Sequence, residues 1–278
     1  MPRPSIWTHS LDCTIVGSAS MRRFALPLIS AFLWSAFPLC AQSPSNAPVT
    51  ISTDRPSVAN SSAVVPQSGF QVENGLLLTN TQGQYVLDLP ETSFRYGLLN
   101  TTELRLAVPD YYHNFSSSPS AASGFGDTAL GVKQFLGLLP GGFNLSAIFF
   151  LSFPTGAQEI SSHGYDPGLQ FPWSRPLSQN WTVAGQVAFY WPTLAGTHNF
   201  TGETTFFFDR QLTKPWDAFV EYAGDFPERG GSRQFLHFGS AYKLAPHHQI
   251  DFHVAVGLSN AAPHAYVGFG YSFLFLSK

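Results

Sequence analysis

Residues Ala265 to Phe275 read AYVGFGYSFLF, which places Val267, Phe269, Tyr271, Phe273 and Phe275 on one face and Gly268, Gly270, Ser272 and Leu274 on the other. Side chains alternate across a strand, so a period this close to two specifies a β-strand and excludes a helix. The broad aromatic face runs unbroken nearly to the C-terminus, while the opposite face is small or polar. A soluble sandwich would have to bury that aromatic face, whereas a barrel in a bilayer turns it to lipid. The expected fold class is therefore all-β, a transmembrane antiparallel up-and-down β-barrel.

Only 11% of the 278 residues are charged and 15% are aromatic, and after residue 41 there is no apolar run long enough to cross a membrane as a helix. The one such run comes early. Met21, Arg22 and Arg23 precede an apolar stretch from Phe24 to Leu39, and Ala41-Gln42 offers a cleavage junction, the layout of a secretory signal peptide. Residues 1–41 are thus expected to be an N-terminal extension plus signal peptide, with Met21 as the initiator. Leu39 is too large for the position before a lipidated cysteine, which argues against an anchor on Cys40. Cleavage after Ala41 removes both cysteines, Cys13 and Cys40, and leaves eleven basic against sixteen acidic residues, a net charge of minus five. That excludes disulfides and thiolate chemistry and disfavours nucleic-acid binding.

Residues 42–68, rich in Ser, Pro, Asn and Val, read as an extended periplasmic segment ahead of a barrel over 69–278. About twelve strands of bilayer-crossing length are expected there, at 69–79, 87–98, 101–109, 126–137, 143–153, 167–176, 181–191, 202–212, 217–226, 233–244, 250–258 and 265–275. Connections alternate between short ones, such as Leu99-Asn100 and Thr213 to Trp216, and longer ones, such as Asp110 to Phe125 and Pro154 to Asp166. Bacterial barrels place the short turns in the periplasm, so both termini are expected there.

Alternation inside the strands gives the sidedness. Thr102, Leu104, Leu106 and Val108 share a face opposite Glu103 and Arg105, and Ile250, Phe252, Val254 and Val256 oppose Asp251, His253 and Ala255. In the second strand Thr92, Phe94, Tyr96 and Leu98 oppose Glu91, Ser93, Arg95 and Gly97. A charge facing mid-bilayer lipid costs about 2–4 kcal/mol, which assigns the charged faces to the lumen. Glu73, Glu91, Arg95, Glu103, Arg105, Asp127, Lys133 and Glu221 are accordingly expected to line it. Tyr111, Tyr112, Trp173, Trp181, Tyr190, Trp191 and Trp216, near strand ends, suit interfacial girdles.

Several short runs then take on meaning together. They are Thr53-Asp54-Arg55-Pro56, Gly69-Phe70-Gln71-Val72-Glu73, Phe94-Arg95-Tyr96-Gly97, Glu103-Leu104-Arg105, Gly124-Phe125-Gly126-Asp127, Leu130-Gly131-Val132-Lys133, Pro154-Thr155-Gly156 and Trp173-Ser174-Arg175-Pro176-Leu177. In order and spacing the chain resembles the outer-membrane transporter family associated with the meta-pathway of phenol degradation. The resemblance implies a barrel in the bacterial outer membrane passing small, aromatic or apolar solutes, and it marks Glu73, Arg95, Glu103, Arg105, Asp127 and Lys133 as recurring polar positions. The closing stretch from Gly270 through Phe273 to Phe275 resembles the signal read by the outer-membrane barrel assembly machinery, the expected partner besides outer-membrane lipid.

The expected function is passive diffusion of small solutes without cofactor, through a lumen narrowed by its own side chains. The same polar residues could instead pair with one another and brace the wall. Thr53 to Pro56 is expected to fold into or against the periplasmic mouth. No Gly-x-Ser-x-Gly elbow and no His-Glu-x-x-His pair is present, so neither a hydrolase nor a metal site is expected, although His237 and His253 are both expected to point inward near Asp251. The competing classes are a lipid-modifying barrel enzyme, which needs a Ser/His pair at the outer rim, and a structural or adhesive barrel using the loop from Asp110 to Phe125.

Overall fold

The computed structural model describes residues 49–116 and 121–276. The expected signal peptide, the start of the lead-in and the last two residues lie outside the described residues. The strands are β1 (Gly69–Thr81), β2 (Gln84–Leu89), β3 (Ser93–Leu99), β4 (Thr102–Ala107), β5 (Tyr111–Asn114), β6 (Gly124–Phe125), β7 (Thr128–Leu139), β8 (Phe143–Phe153) and β9 (Asp166–Pro176). They continue as β10 (Trp181–Tyr190), β11 (Thr193–Leu194), β12 (Thr197–His198), β13 (Thr201–Thr213), β14 (Trp216–Pro227), β15 (Arg233–Ala245), β16 (His248–Gly257) and β17 (Ala265–Leu276).

Neighbours in sequence pair antiparallel around the sheet, and β17 returns to β1 in continuous register from Gly69 opposite Leu276 to Asn80 opposite Ala265. This closure leaves no edge to face hydrocarbon, which contains nothing that could satisfy one. With β2–β3, β4–β5 and β6–β7 each counted as one crossing, and the β11–β12 loop hairpin left out, the barrel has twelve strands.

The split crossings correct the expected boundaries. The second crossing starts at Gln84 and breaks at Pro90, and the third breaks at Pro109, because proline has no N–H for the ladder. Backbone bonds stitch the wall across the break, from Gly75 N to Pro90 O at 2.7 Å, Val108 N to Thr92 O at 3.2 Å and Gly126 N to Asp110 O at 2.8 Å. The stretch from Asp110 to Phe125, expected as one long loop, contributes β5 and β6 to the sheet instead. The β1–β2 hairpin is also tight: Gln82 and Gly83 both take positive φ, 51° and 83°, as a two-residue turn matched to strand twist requires.

Sidedness follows the alternation. Phe269 is 51% exposed and Phe275 59%, whereas Ser272 and Leu274 between and beside them are buried. Ile250, Phe252 and Val256 face outward, and Asp251, His253 and Ala255 inward. Two tyrosines depart from the expected girdles: Tyr112 is buried on the inner face, and the Tyr190 hydroxyl donates to Glu203 Oε1 inside the barrel at 3.0 Å. Each shares parity with inward neighbours on its strand, and that parity outranks nearness to a strand end.

Residues 49–68 run inside this cylinder. The segment enters at the rim of short turns, where Ile51 N donates to Pro246 O at 2.8 Å, and it returns to the same rim, where Ser68 N donates to Gly97 O at 2.7 Å just before β1 begins. Ile51 and Val65 pack on Leu274 of β17 as an apolar collar at the mouth.

Candidate functional site

The segment is held at three levels by the inner wall. The first is a buried network of three carboxylates and three cations. Arg95 on β3 donates from Nη1 to Glu73 Oε1 on β1 at 2.8 Å, and through Nε and Nη2 to both oxygens of Glu103 on β4 at 2.9 Å each. Arg105, two residues along β4, reaches Glu103 Oε1 at 2.7 Å and forms a close ion pair with Asp54 of the segment. Lys133 on β7 lies 3.5 Å from Asp54 Oδ1, as does Arg95 Nη1. Backbone groups of the segment complete the set: Asp54 N and Arg55 N donate to Glu73, Val65 N donates to Glu103 Oε2 at 2.7 Å, and Ser52 O accepts from Gln71 and Arg95.

The balance of three against three is what makes this burial tolerable, since an uncompensated buried charge is strongly unfavourable and a partly satisfied network is worse than an apolar one. Burial alone would raise the Asp54 carboxyl. The charges of Arg105, Arg95 and Lys133 override that effect and hold it well below the ordinary carboxylate range.

At the second level Arg55 lies over the β1–β17 seam. Its guanidinium forms a close ion pair with Glu91 at the β2–β3 break, lies 3.2 Å from Asp251 Oδ1 on β16, and donates to Phe269 O at 3.1 Å. It fits because the facing wall positions are Gly75 and Gly270, where a Cβ would overlap the guanidinium.

The third level receives the turn of the segment. Glu221 on β14 accepts from Val58 N at 2.9 Å and Ala59 N at 3.0 Å, and it also bonds His237 Nδ1 at 2.7 Å. His237 Nε2 lies 3.0 Å from His253 Nδ1, so the inward histidines form a chain behind the carboxylate. Asn60 is gripped by Gln186 at 2.9 Å, Gln170 at 3.2 Å and Arg105 at 3.1 Å. Ser146 Oγ donates to Ser62 O at 2.6 Å.

Of the wall residues singled out from sequence, Glu73, Glu91, Arg95, Glu103, Arg105, Lys133 and Glu221 all contact this segment. Asp127 does not. Its carboxylate accepts from Gly156 N at 2.8 Å and Ser162 N at 3.0 Å, anchoring the 154–165 loop. The list missed Asp251, Gln170 and Gln186 on the wall, and Asp54, Arg55 and Asn60 on the segment. The run from Thr53 to Pro56 was the available signal: two opposite charges in a polar lead-in otherwise poor in charge. Among the described residues no group of three or more His, Cys, Asp or Glu is arranged to hold a metal ion.

Arg95, Glu103, Lys133, Ser146, Gln170 and Glu221 have no exposed surface.

A closed barrel with an apolar exterior, a charged interior and a length of its own chain seated in the lumen defines the class: a membrane β-barrel of channel architecture. Within that class, residues 53–275 match the family described as "Putative MetA-pathway of phenol degradation", and the chain belongs to that family. The family resemblance carried by the short runs is thereby borne out. Among solved structures the fold is similar to an outer membrane channel from Pseudomonas putida F1, at 12% identity over 77% of this chain and 97% of that one, with a TM-score of 0.57. Looser likenesses are the KdgM porin, at 11% identity over 74% and 99% of the two chains with a TM-score of 0.49, and the CymD monoaromatic hydrocarbon channel, at 10% over 76% and 90% with 0.44. At these identities the likeness is one of fold. No curated protein matches the chain by sequence.

Proposed function

We propose that the protein is a gated outer-membrane channel for passive passage of small solutes, in which residues 49–68 close the lumen and move to open it. The observation that carries this reading is the way the segment is held. It is bound by reversible ion pairs and hydrogen bonds to polar wall residues, with only a small apolar collar at the mouth. A permanent filling would be expected to be apolar and well packed, since a buried ionic network adds little stability over such a core. Family membership and the shared fold with an outer membrane channel support the same reading, and nothing in it requires a cofactor or catalytic group.

The short-turn rim, where the segment enters, is assigned to the periplasm, which puts both termini there after removal of the leader. The stretch from Gly270 to Phe275, with Phe273 and Phe275 outward, is assigned as the contact for the barrel assembly machinery. The wall carboxylates and guanidiniums, Asp127 apart, are assigned to the path itself and become pore-lining once the segment leaves. The solute is small, and an aromatic or apolar body is compatible with Phe150 and Phe219 on the inner face.

Single-channel conductance of the refolded barrel in a planar bilayer tests this, with heat-modifiable gel mobility reporting folding. Deleting residues 42–66 is expected to convert brief or small openings into sustained larger ones. An unchanged conductance in the folded deletion variant would refute the gate, and a folded variant with no conductance at all would refute the channel.

A further inference from the structure

The strand carboxylates among the described residues turn toward the lumen, but two strand arginines turn the other way. Arg175 on β9 follows the parity of Trp173 and opposes Ser174, whose Oγ meets Ser62 of the interior segment at 2.7 Å. Arg210 on β13 follows the exposed Phe206 and Phe208 and opposes Thr205 and Asp209. Both arginines are exposed at the short-turn rim, on either side of β10, where they stand opposite Val183 and Trp181 in register. Lys214, exposed in the β13–β14 turn, adds a third cation to this sector.

None of the three forms an ion pair among the described residues, and the guanidiniums rest on rings instead. Arg175 lies 5.1 Å from the centroid of Phe143, and Arg210 lies 5.3 Å from that of Trp181. The nearest acids in sequence, Asp209 and Asp217, turn inward beside Lys243. The exposed carboxylates among the described residues, Glu159 and Glu228, lie in long loops at the opposite rim. A cation over an aromatic face stays ordered while its charge and N–H donors remain available to an anion.

Below the cations the rings form a continuous shelf. Phe143 and Trp173 are 5.8 Å apart, Trp173 and Phe206 6.0 Å, and Phe206 and Phe208 5.1 Å. Uncompensated positive charge at headgroup depth above an apolar shelf is complementary to an amphiphile with an acidic head. We propose that this outer face of the short-turn rim is a binding site for anionic phospholipid, in which Arg175, Arg210 and Lys214 hold the phosphodiester and the aromatic shelf holds the acyl chains. The inference rests on the membrane-barrel reading, and it takes the leaflet from the orientation given above: the periplasmic one, built of phospholipid.

The test needs no conduction. The mature protein is refolded into mixed vesicles in which either phosphatidylglycerol or phosphatidylcholine carries brominated chains, and quenching of Trp173 and Trp181 in the patch gives the relative affinity of the two lipids. Both leaflets have the same composition, so the direction of insertion does not affect the result. Phosphatidylglycerol is expected to be preferred at least about fivefold, the increment of one cation at an acidic surface, and Arg175→Gln/Arg210→Gln to bring the ratio close to one. Heat-modifiable mobility reports folding; should the pair fail to fold, Lys214→Gln in the turn gives a second reading and is expected to lower the ratio. Arg229→Gln, which removes an exposed cation at the opposite rim, is expected to leave it unchanged. Equal affinity in the unmodified protein, no loss in the folded patch variants, or the same loss in Arg229→Gln overturns the site. Full reversal of the preference by soluble glycerol phosphate also overturns it, in favour of a free anion. Quenching without preference removes only this site and leaves the channel reading standing, whereas a folded protein quenched by neither lipid refutes the membrane barrel itself.

Discussion

Replacing Asp54 with asparagine should open the barrel without unfolding it. Asp54 supplies one of the three negative charges that face Arg95, Arg105 and Lys133, and its neutralisation leaves three buried cations against Glu73 and Glu103. Breaking a buried ion pair by removing one partner costs about 3–5 kcal/mol. The segment can relieve that cost by leaving the lumen and admitting water to the cations. At about 1.4 kcal/mol per tenfold, the equilibrium between seated and unseated segment should shift by a factor of roughly 10² to 4 × 10³. The amide oxygen can still accept from Ser61 N, now 2.9 Å from Oδ1, so the change is chiefly one of charge. The assay is open probability in a planar bilayer, with heat-modifiable mobility confirming that the hydrogen-bonded wall is intact. The companion variant Asp54→Asn/Lys133→Met restores the balance at two cations and two carboxylates and should recover most of the closed state. Unchanged open probability in the single variant, or a double variant as open as the single one, would refute the charge-balance argument.

The other predictions follow from the same wall. Because the Asp54 carboxyl is held below its ordinary value, its contribution to seating is full above the unfolded carboxylate range and is lost as pH falls through the lowered value; conductance should stay low from neutral pH through about pH 5 and rise only in stronger acid. A methyl at Gly97 would overlap the carbonyl of Pro66 on the returning leg of the segment, so Gly97→Ala should raise open probability in a folded barrel, and a silent Gly97→Ala channel would count against the seated path. Phe252 faces outward near the middle of β16, so Phe252→Arg should cost about 2–4 kcal/mol in reversible folding into phospholipid vesicles; a cost near zero would mean that this face does not meet hydrocarbon. Phe275→Ala should lower the yield of folded barrel in cells more than in detergent refolding, and equal losses in both would remove the assembly-signal role.

Strand order, sidedness and barrel class were readable from sequence because each rests on local rules. Period two in stretches such as Ala265 to Phe275 sets which residues face out, and the short turns set antiparallel neighbours. The expected boundaries failed at Pro90 and Pro109, where a strand breaks yet its crossing continues. A missing N–H is visible in sequence, but whether Gly75 N and Val108 N will bridge the gap is not. Tyr112 and Tyr190 were misplaced for a related reason: one-residue parity decides their direction, and parity near a strand end depends on where the strand stops.

Local patterning is enough to specify a membrane barrel with charged side chains turned inward, since the free energy of placing Arg or Glu in lipid leaves no alternative. What those charges do depends on the closed fold. Asp54 lies 51 residues from Arg105, and Arg55 lies 196 residues from Asp251, so nothing local couples them. Closure of β17 on β1 brings Asp251 within reach of Glu91, and the interior segment then finds on either side of that seam the partners that a run of four residues, Thr53 to Pro56, could only hint at. A buried charge is tolerated where its counter-charges converge, and convergence is a property of the closed cylinder.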